Sequence, residues 1–153
     1  MQTEITNEWI YEQSPNEVWE YLTRVELIAL WLMPNNFEPV LGHEFQFRIK
    51  PVPSLDLDGI FYCKVLELVP FQKLTYTWKG GSGNGIFTLD TVVEWTLEQY
   101  KNGTKLSLRQ SGFKEANFTI FTSMTDGWEK NIQKMISHIN STNNNNNNGN
   151  TKS

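Results

Sequence analysis

The chain has one cysteine and two histidines in 153 residues, no block of basic residues, and no long uninterrupted apolar run. A single thiol, Cys63, rules out an internal disulfide; inside a strand-like run it reads as a small buried hydrophobe and not as a reactive group. His43 and His138 stand in no ligand spacing with Cys63 or with a carboxylate, so neither a metal site nor any cofactor is expected. Lys and Arg number 13 against 17 Asp and Glu, a formal net charge of -4. Nucleic acid and anionic membrane surfaces reward concentrated positive charge, so neither is the expected partner. No segment approaches membrane-spanning length, and no basic region followed by an apolar stretch opens the chain, which makes the cytoplasm the expected setting. The triplets starting at Asn102, Asn117 and Asn140 match the glycosylation acceptor pattern, which has no meaning there.

What the chain does have is bulk: nine Phe, six Trp and five Tyr, enough rings for a substantial core in one domain over residues 1–140. From 141 onward, "STNNNNNNGNTKS" has no apolar residue and reads as a disordered Asn-rich tail. Residues 4–12 alternate as a first strand, with Ile5, Trp9 and Tyr11 in one phase. Ser14-Pro15-Asn16-Glu17 then combines an N-cap serine, a proline at the first helical position and a glutamate three residues after the cap. Two short helices are expected, Pro15 to about Leu22 and Thr23 to Trp31, closed by Pro34.

Beyond Pro39 the period shortens to two. Phe45, Phe47 and Ile49 alternate with polar residues, and Pro51 and Pro53 break that strand. Further strands are expected at 60–69, at 73–79 with Leu74, Tyr76 and Trp78 on one face, at 86–98, and at 104–110 after an Asn-Gly hairpin signal. Finally, Phe121, Met124, Trp128, Ile132, Met135, Ile136 and Ile139 form one apolar stripe on a long helix. Short connections favour antiparallel pairing, so the expected fold is α+β: an antiparallel sheet of six or more strands with the long helix across one face.

Catalytic signals are thin. The loop "KGGSGNG" at 79–85 lacks the Lys-Ser/Thr of a phosphate loop and leads into a strand, not a helix. Glu67, Asp90 and Glu94 alternate away from apolar neighbours and so toward water, and no Ser, His and acid trio is in evidence. Aromatic residues are spread over elements that face one another, a composition that suits either a solid core or a ring-lined cavity.

Four runs, "SPNEVWEYLTRVELIALWLMP", "GIFYCKVLELVPFQKLTYTW", "GTKLSLRQSGF" and "DGWEKNIQKM", occur in that order. Together they resemble the bacterial Activator of Hsp90 ATPase homologue 1-like family, within the START and Bet v 1 (SRPBCC) superfamily, over residues 5 to 139. The resemblance implies a helix-grip fold, a curved sheet around a long C-terminal helix with two short helices after the first strand, and a hydrophobic cavity between them. Its motif positions fall on Trp31 to Pro34, Gly112-Phe113 and Gly127-Trp128. The expected function is binding of a small, largely apolar ligand, without catalysis. Candidate cavity residues are Met124, Trp128 and Met135 from the helix, Phe47, Tyr62, Trp78 and Trp95 from the sheet, Trp31 at one end, and Gln110 as the polar group that fixes orientation. The alternatives are a module that binds a protein partner, a chaperone or a second copy of the chain, and a cyclase-like enzyme.

Overall fold

The computed structural model describes residues 3–152, with side chains described as far as Ser141. Strand β1 (Glu4–Tyr11) leads into helices α1 (Pro15–Thr23) and α2 (Val25–Trp31), followed by β2 (Glu44–Arg48), β3 (Ile60–Val69), β4 (Lys73–Gly80), β5 (Leu89–Tyr100), β6 (Gly103–Ser111) and α3 (Phe118–Lys152). The six strands form one antiparallel sheet in the order β1-β6-β5-β4-β3-β2. The sheet curves around α3, the helix-grip arrangement.

Local chemistry explains the boundaries. The Ser14 side chain accepts a hydrogen bond from the Glu17 N–H, and Pro15 opens α1, satisfying donors that have no partner inside the helix. Arg24 is extended (φ -96°, ψ 123°) and separates α1 from α2, so the second helix starts two residues later than its sequence suggests. Strand β5 starts at Leu89 and not at 86, because a tight turn closed by Ile86 N–H to Gly83 O occupies the residues before it. The hairpin between β5 and β6 turns on Lys101 (φ 53°) and Asn102, with Tyr100 opposite Gly103. Gly103 serves the strand: a Cβ there would lie 1.9 Å from the Tyr11 carbonyl oxygen.

The inner face of the sheet is mainly apolar. Ile5, Trp9 and Tyr11 of β1, Leu74, Tyr76 and Trp78 of β4, Val93, Trp95 and Leu97 of β5, and Leu106 and Leu108 of β6 are all buried. They meet Ile120, Trp128, Ile132, Met135 and Ile139 of α3. Strand β3 carries a bulge: the register with β4 shifts by one between Val65 and Glu67. Before it Phe61, Cys63 and Val65 face inward; after it Glu67 points outward to Lys73, which also bridges to Glu94 (3.1 and 3.3 Å). Asp90 is likewise outward, beside Lys79. The free edge of β2 is covered by the 34–36 segment, where Arg48 N–H donates to Pro34 O and Gln46 N–H to Asn36 Oδ1. Of the expected tail, 141–153, residues 141–152 fall on the continuation of α3; side chains beyond Ser141 and residue 153 lie outside the described residues.

Candidate functional site

Beneath α3, where the sheet reaches the end of α2, side chains from four segments leave a pocket of about 250 Å³. Its floor is Phe61 and Trp78 of the sheet, both buried. One wall is α3, through Ile120, Met124, Gly127 and Trp128, with Ser123 and Asn131 at the rim. Leu32 and Met33, just past α2, form a second wall, and the loop after β2 supplies Ile49, Val52, Leu55 and Leu57. That loop is held in a compact shape by a 3-10 turn at Pro53–Leu55 and by the Val52 N–H to Leu57 O bond (2.9 Å). It is pinned at its base by Gly59, whose φ of 93° and whose 2.5 Å approach, from a built Cβ to Ile49 O, admit no side chain. Two larger depressions, of about 450 and 470 Å³, lie elsewhere on the sheet, one lined by Tyr62 and Phe87 with Glu44, Lys64 and Lys79, the other mainly by polar side chains such as Glu8, Glu94 and Arg109.

No residue of the pocket wall is ionisable. Behind it lies an aromatic cluster joined edge to face: Trp78 and Trp128 at 5.5 Å between ring centroids, Trp95 and Trp128 at 5.4 Å, Trp31 and Trp95 at 5.9 Å. Phe47 stacks on Trp78 at 4.8 Å. Buried indole N–H groups need acceptors, and three of these have them. Trp128 Nε1 donates to Gln110 Oε1 (2.8 Å), Trp95 Nε1 to the Tyr76 hydroxyl (2.9 Å) and Trp31 Nε1 to Tyr21 O (2.8 Å). Gln110 in turn donates to Thr91 Oγ1 (2.9 Å), and Thr91 donates to Trp78 O (2.8 Å). The fourth, Trp78 Nε1, is buried without an acceptor among the described residues. Burial pushes the Tyr76 phenol above its ordinary value, so it stays a neutral hydroxyl. Among the described residues no group of three His, Cys, Asp or Glu side chains is placed to hold a metal.

The nine candidates named from sequence divide accordingly. Trp78, Met124 and Trp128 come together in the pocket wall. Trp31, Phe47, Trp95 and Gln110 are fully packed behind it, and Gln110 bonds to Trp128 and Thr91 and does not line the pocket. Met135 is buried farther along α3, where its sulfur accepts from the Tyr11 hydroxyl (3.2 Å). Tyr62 is corrected: it lies on the outer face against Phe87 (5.4 Å), because its neighbours Phe61 and Cys63 are the ones that face inward and successive residues of a strand alternate. Sequence reasoning missed the loop residues Val52, Leu55 and Leu57. The available signal was three apolar residues in a proline-broken connection that belongs to no strand.

Comparisons with known proteins bear on the family and the fold. The model of the family described as "Activator of Hsp90 ATPase homolog 1-like protein" matches residues 12–140. Comparison with curated proteins gives no match. Among solved structures, protein MLL2253 from Mesorhizobium loti is 30% identical, with 91% of this chain and 98% of that chain covered and a TM-score of 0.81. CalU16 from Micromonospora echinospora (20% identity, 89% and 75% covered, TM-score 0.69) and the Aha1 dimer from Colwellia psychrerythraea (18%, 90% and 96%, 0.73) share the fold. With the family model spanning most of the chain, and a 30% identical structure spanned almost end to end, this protein belongs to the Activator of Hsp90 ATPase homolog 1-like family.

Proposed function

We propose that the protein is a reversible binding module for a small, largely apolar molecule seated between the sheet and α3. The observation that carries this reading is the pocket wall itself: rings and aliphatic side chains from four segments, preformed, with no ionisable residue among them. Apolar concavities with a few polar tips are the usual form of small-molecule sites. Acid–base chemistry needs a titratable group within reach of substrate, and this wall has none, so binding fits it better than a cyclase-like reaction. In this reading the protein works in the cytoplasm, with Cys63 reduced and buried.

Native mass spectrometry of the freshly purified chain, followed by denaturation and analysis of what is released, tests the proposal. A stoichiometric apolar adduct that disappears in Gly127→Phe, where the ring would enter the open space beside α3, supports it. An adduct unaffected by that change would place the ligand elsewhere and refute the site.

A second reading, a protein-interaction module, draws on a different observation: Leu41, Leu66 and Phe71 are exposed at 66%, 45% and 45%. Single exposed apolar residues are ordinary, but several of this size suit a protein contact. The Colwellia relative is described as a dimer. Sedimentation of the free chain as a monomer at all concentrations would remove self-association from this reading.

A further inference from the structure

We infer that Gly127 sets the size of what the pocket holds: without a side chain at this position the cavity takes a molecule of about two fused rings, uncharged in its buried part, and a larger residue would restrict it to one ring; this rests on the pocket-binding reading above. A glycine inside a helix costs stability relative to alanine, because it gives up more backbone freedom on folding. Its presence in α3 therefore calls for a reason. Each of the other glycines placed among the described residues has one. Five have a positive φ, and at Gly80, Gly81 and Gly103 a Cβ would come within 3.0 Å of another atom. Gly127 has neither: its φ is not positive, and a Cβ there would meet nothing within 4 Å. Neither backbone conformation nor a close approach asks for glycine at this point of the helix.

The open space lies on the pocket side. Helix α3 contributes Ile120, Ser123, Met124, Gly127, Trp128 and Asn131 to the wall. At about 3.6 residues per turn, position 127 projects between Ser123 and Ile120, inside the arc that these residues span. A side chain added there leaves the helix toward the cavity and takes up its room. As to size, an apolar cavity of about 150 Å³ accepts benzene, and this one, at about 250 Å³, has room for a second ring. A charge carried into it would be buried without a partner, since no lining side chain is ionisable. Ser123 and Asn131, one turn before and one turn after Gly127, are the polar side chains of the wall, and each can donate or accept. A hydroxyl or carbonyl on the edge of the ring system suits that position.

The test uses the full chain and two soluble neutral probes, phenol and 2-naphthol, titrated by following backbone amide resonances. In the parent chain 2-naphthol should bind more tightly, because its second ring is buried as well. Gly127→Ala and Gly127→Val then fill the space in two steps while keeping a residue that a helix accepts. The preference for 2-naphthol over phenol should fall about tenfold in Gly127→Ala, the order of one methylene group in an apolar pocket, and should be lost in Gly127→Val. A general change in the structure would weaken both probes together, so the ratio reads the size limit alone. No preference in the parent chain, or a preference that Gly127→Ala keeps, overturns the inference while leaving the pocket reading in place. So does a melt midpoint of Gly127→Ala below that of the parent, which would show the space to be filled already. Failure of the parent chain to bind either probe overturns both. If Gly127→Val does not fold, Gly127→Ala decides alone.

Discussion

Gln110 is the residue on which the interior polar arrangement turns, and its removal makes a quantitative prediction. Its Oε1 is the acceptor for Trp128 Nε1 at 2.8 Å, and its Nε2 reaches Thr91 Oγ1 at 2.9 Å and Met124 Sδ at 3.6 Å. Gln110 is 0% and Trp128 3% exposed, so water cannot easily take the place of the lost partner. Gln110→Met keeps the length and most of the volume but leaves the Trp128 N–H buried and unpaired, which costs about 1–3 kcal/mol. Thr91 keeps its bond to Trp78 O, so the expected loss is about 2 kcal/mol and not the sum of three bonds. Trp128→Phe alone destabilises as well, since it shrinks a packed ring and orphans Gln110 Oε1. In the Gln110→Met background that second penalty has already been removed, so the double-mutant cycle should show a coupling of about 1 kcal/mol. Urea denaturation followed by far-UV circular dichroism at pH 7 reads all four variants without relying on the altered tryptophans. A coupling near zero would refute the account, because it would mean that the 2.8 Å contact contributes nothing beyond proximity.

Other outcomes follow from the same structure. Gly127 sits inside α3 at the pocket wall, and a Cβ there meets nothing within 4 Å; Gly127→Ala should raise stability by about 0.5–1 kcal/mol in a urea melt while weakening ligand binding, and a loss of stability would show that the space is occupied. Burial raises Cys63, Tyr11 and Tyr76 above their ordinary values; all three are neutral when protonated, so their share of stability is complete below their unfolded values of about 8.5 to 10 and is lost as pH climbs from there toward the folded values. The melt midpoint should therefore fall through that alkaline range, and Cys63→Val should make the fall shallower; a flat profile would contradict the burial. We propose that residues 141–153 are not part of the fold: Ile139 is the last buried residue of α3 among the side chains described. Truncation after Ser141 should leave the melt midpoint unchanged, and a clear drop would show that the Asn-rich segment packs on the domain.

Most of the architecture was legible in the sequence because it depends on short periods. Phe45 and Phe47, or Leu74, Tyr76 and Trp78, declare a strand with one buried face, and the α3 stripe declares the helix that covers it. The pocket was only partly legible. Trp78, Met124 and Trp128 were found because regular elements carry them, whereas Val52, Leu55 and Leu57 sit in a loop whose shape comes from a 3-10 turn and the Gly59 close approach. No periodicity records such a shape. Which buried ring lacks a hydrogen-bond partner among the described residues is also invisible to pattern, since Trp78 and Trp95 both point inward from adjacent strands. Tyr62 lies on the other face of β3 from Phe61, Cys63 and Val65, and the extra residue of the bulge that follows changes which residues of that strand face inward.

That extra residue makes the grip of the sheet depend on chain length as well as on side-chain identity. Leu66 has no cross-strand partner of its own and is largely exposed. Deleting it would leave all five β3–β4 pairs in place, joining Val65 opposite Tyr76 directly to Glu67 opposite Thr75. What would change is curvature, because a bulge bends its strand and increases local twist. A one-codon deletion here is thus a gauge of how tightly the sheet wraps the helix, able to flatten the wall around Phe61 and open the cavity without altering a single residue that lines it.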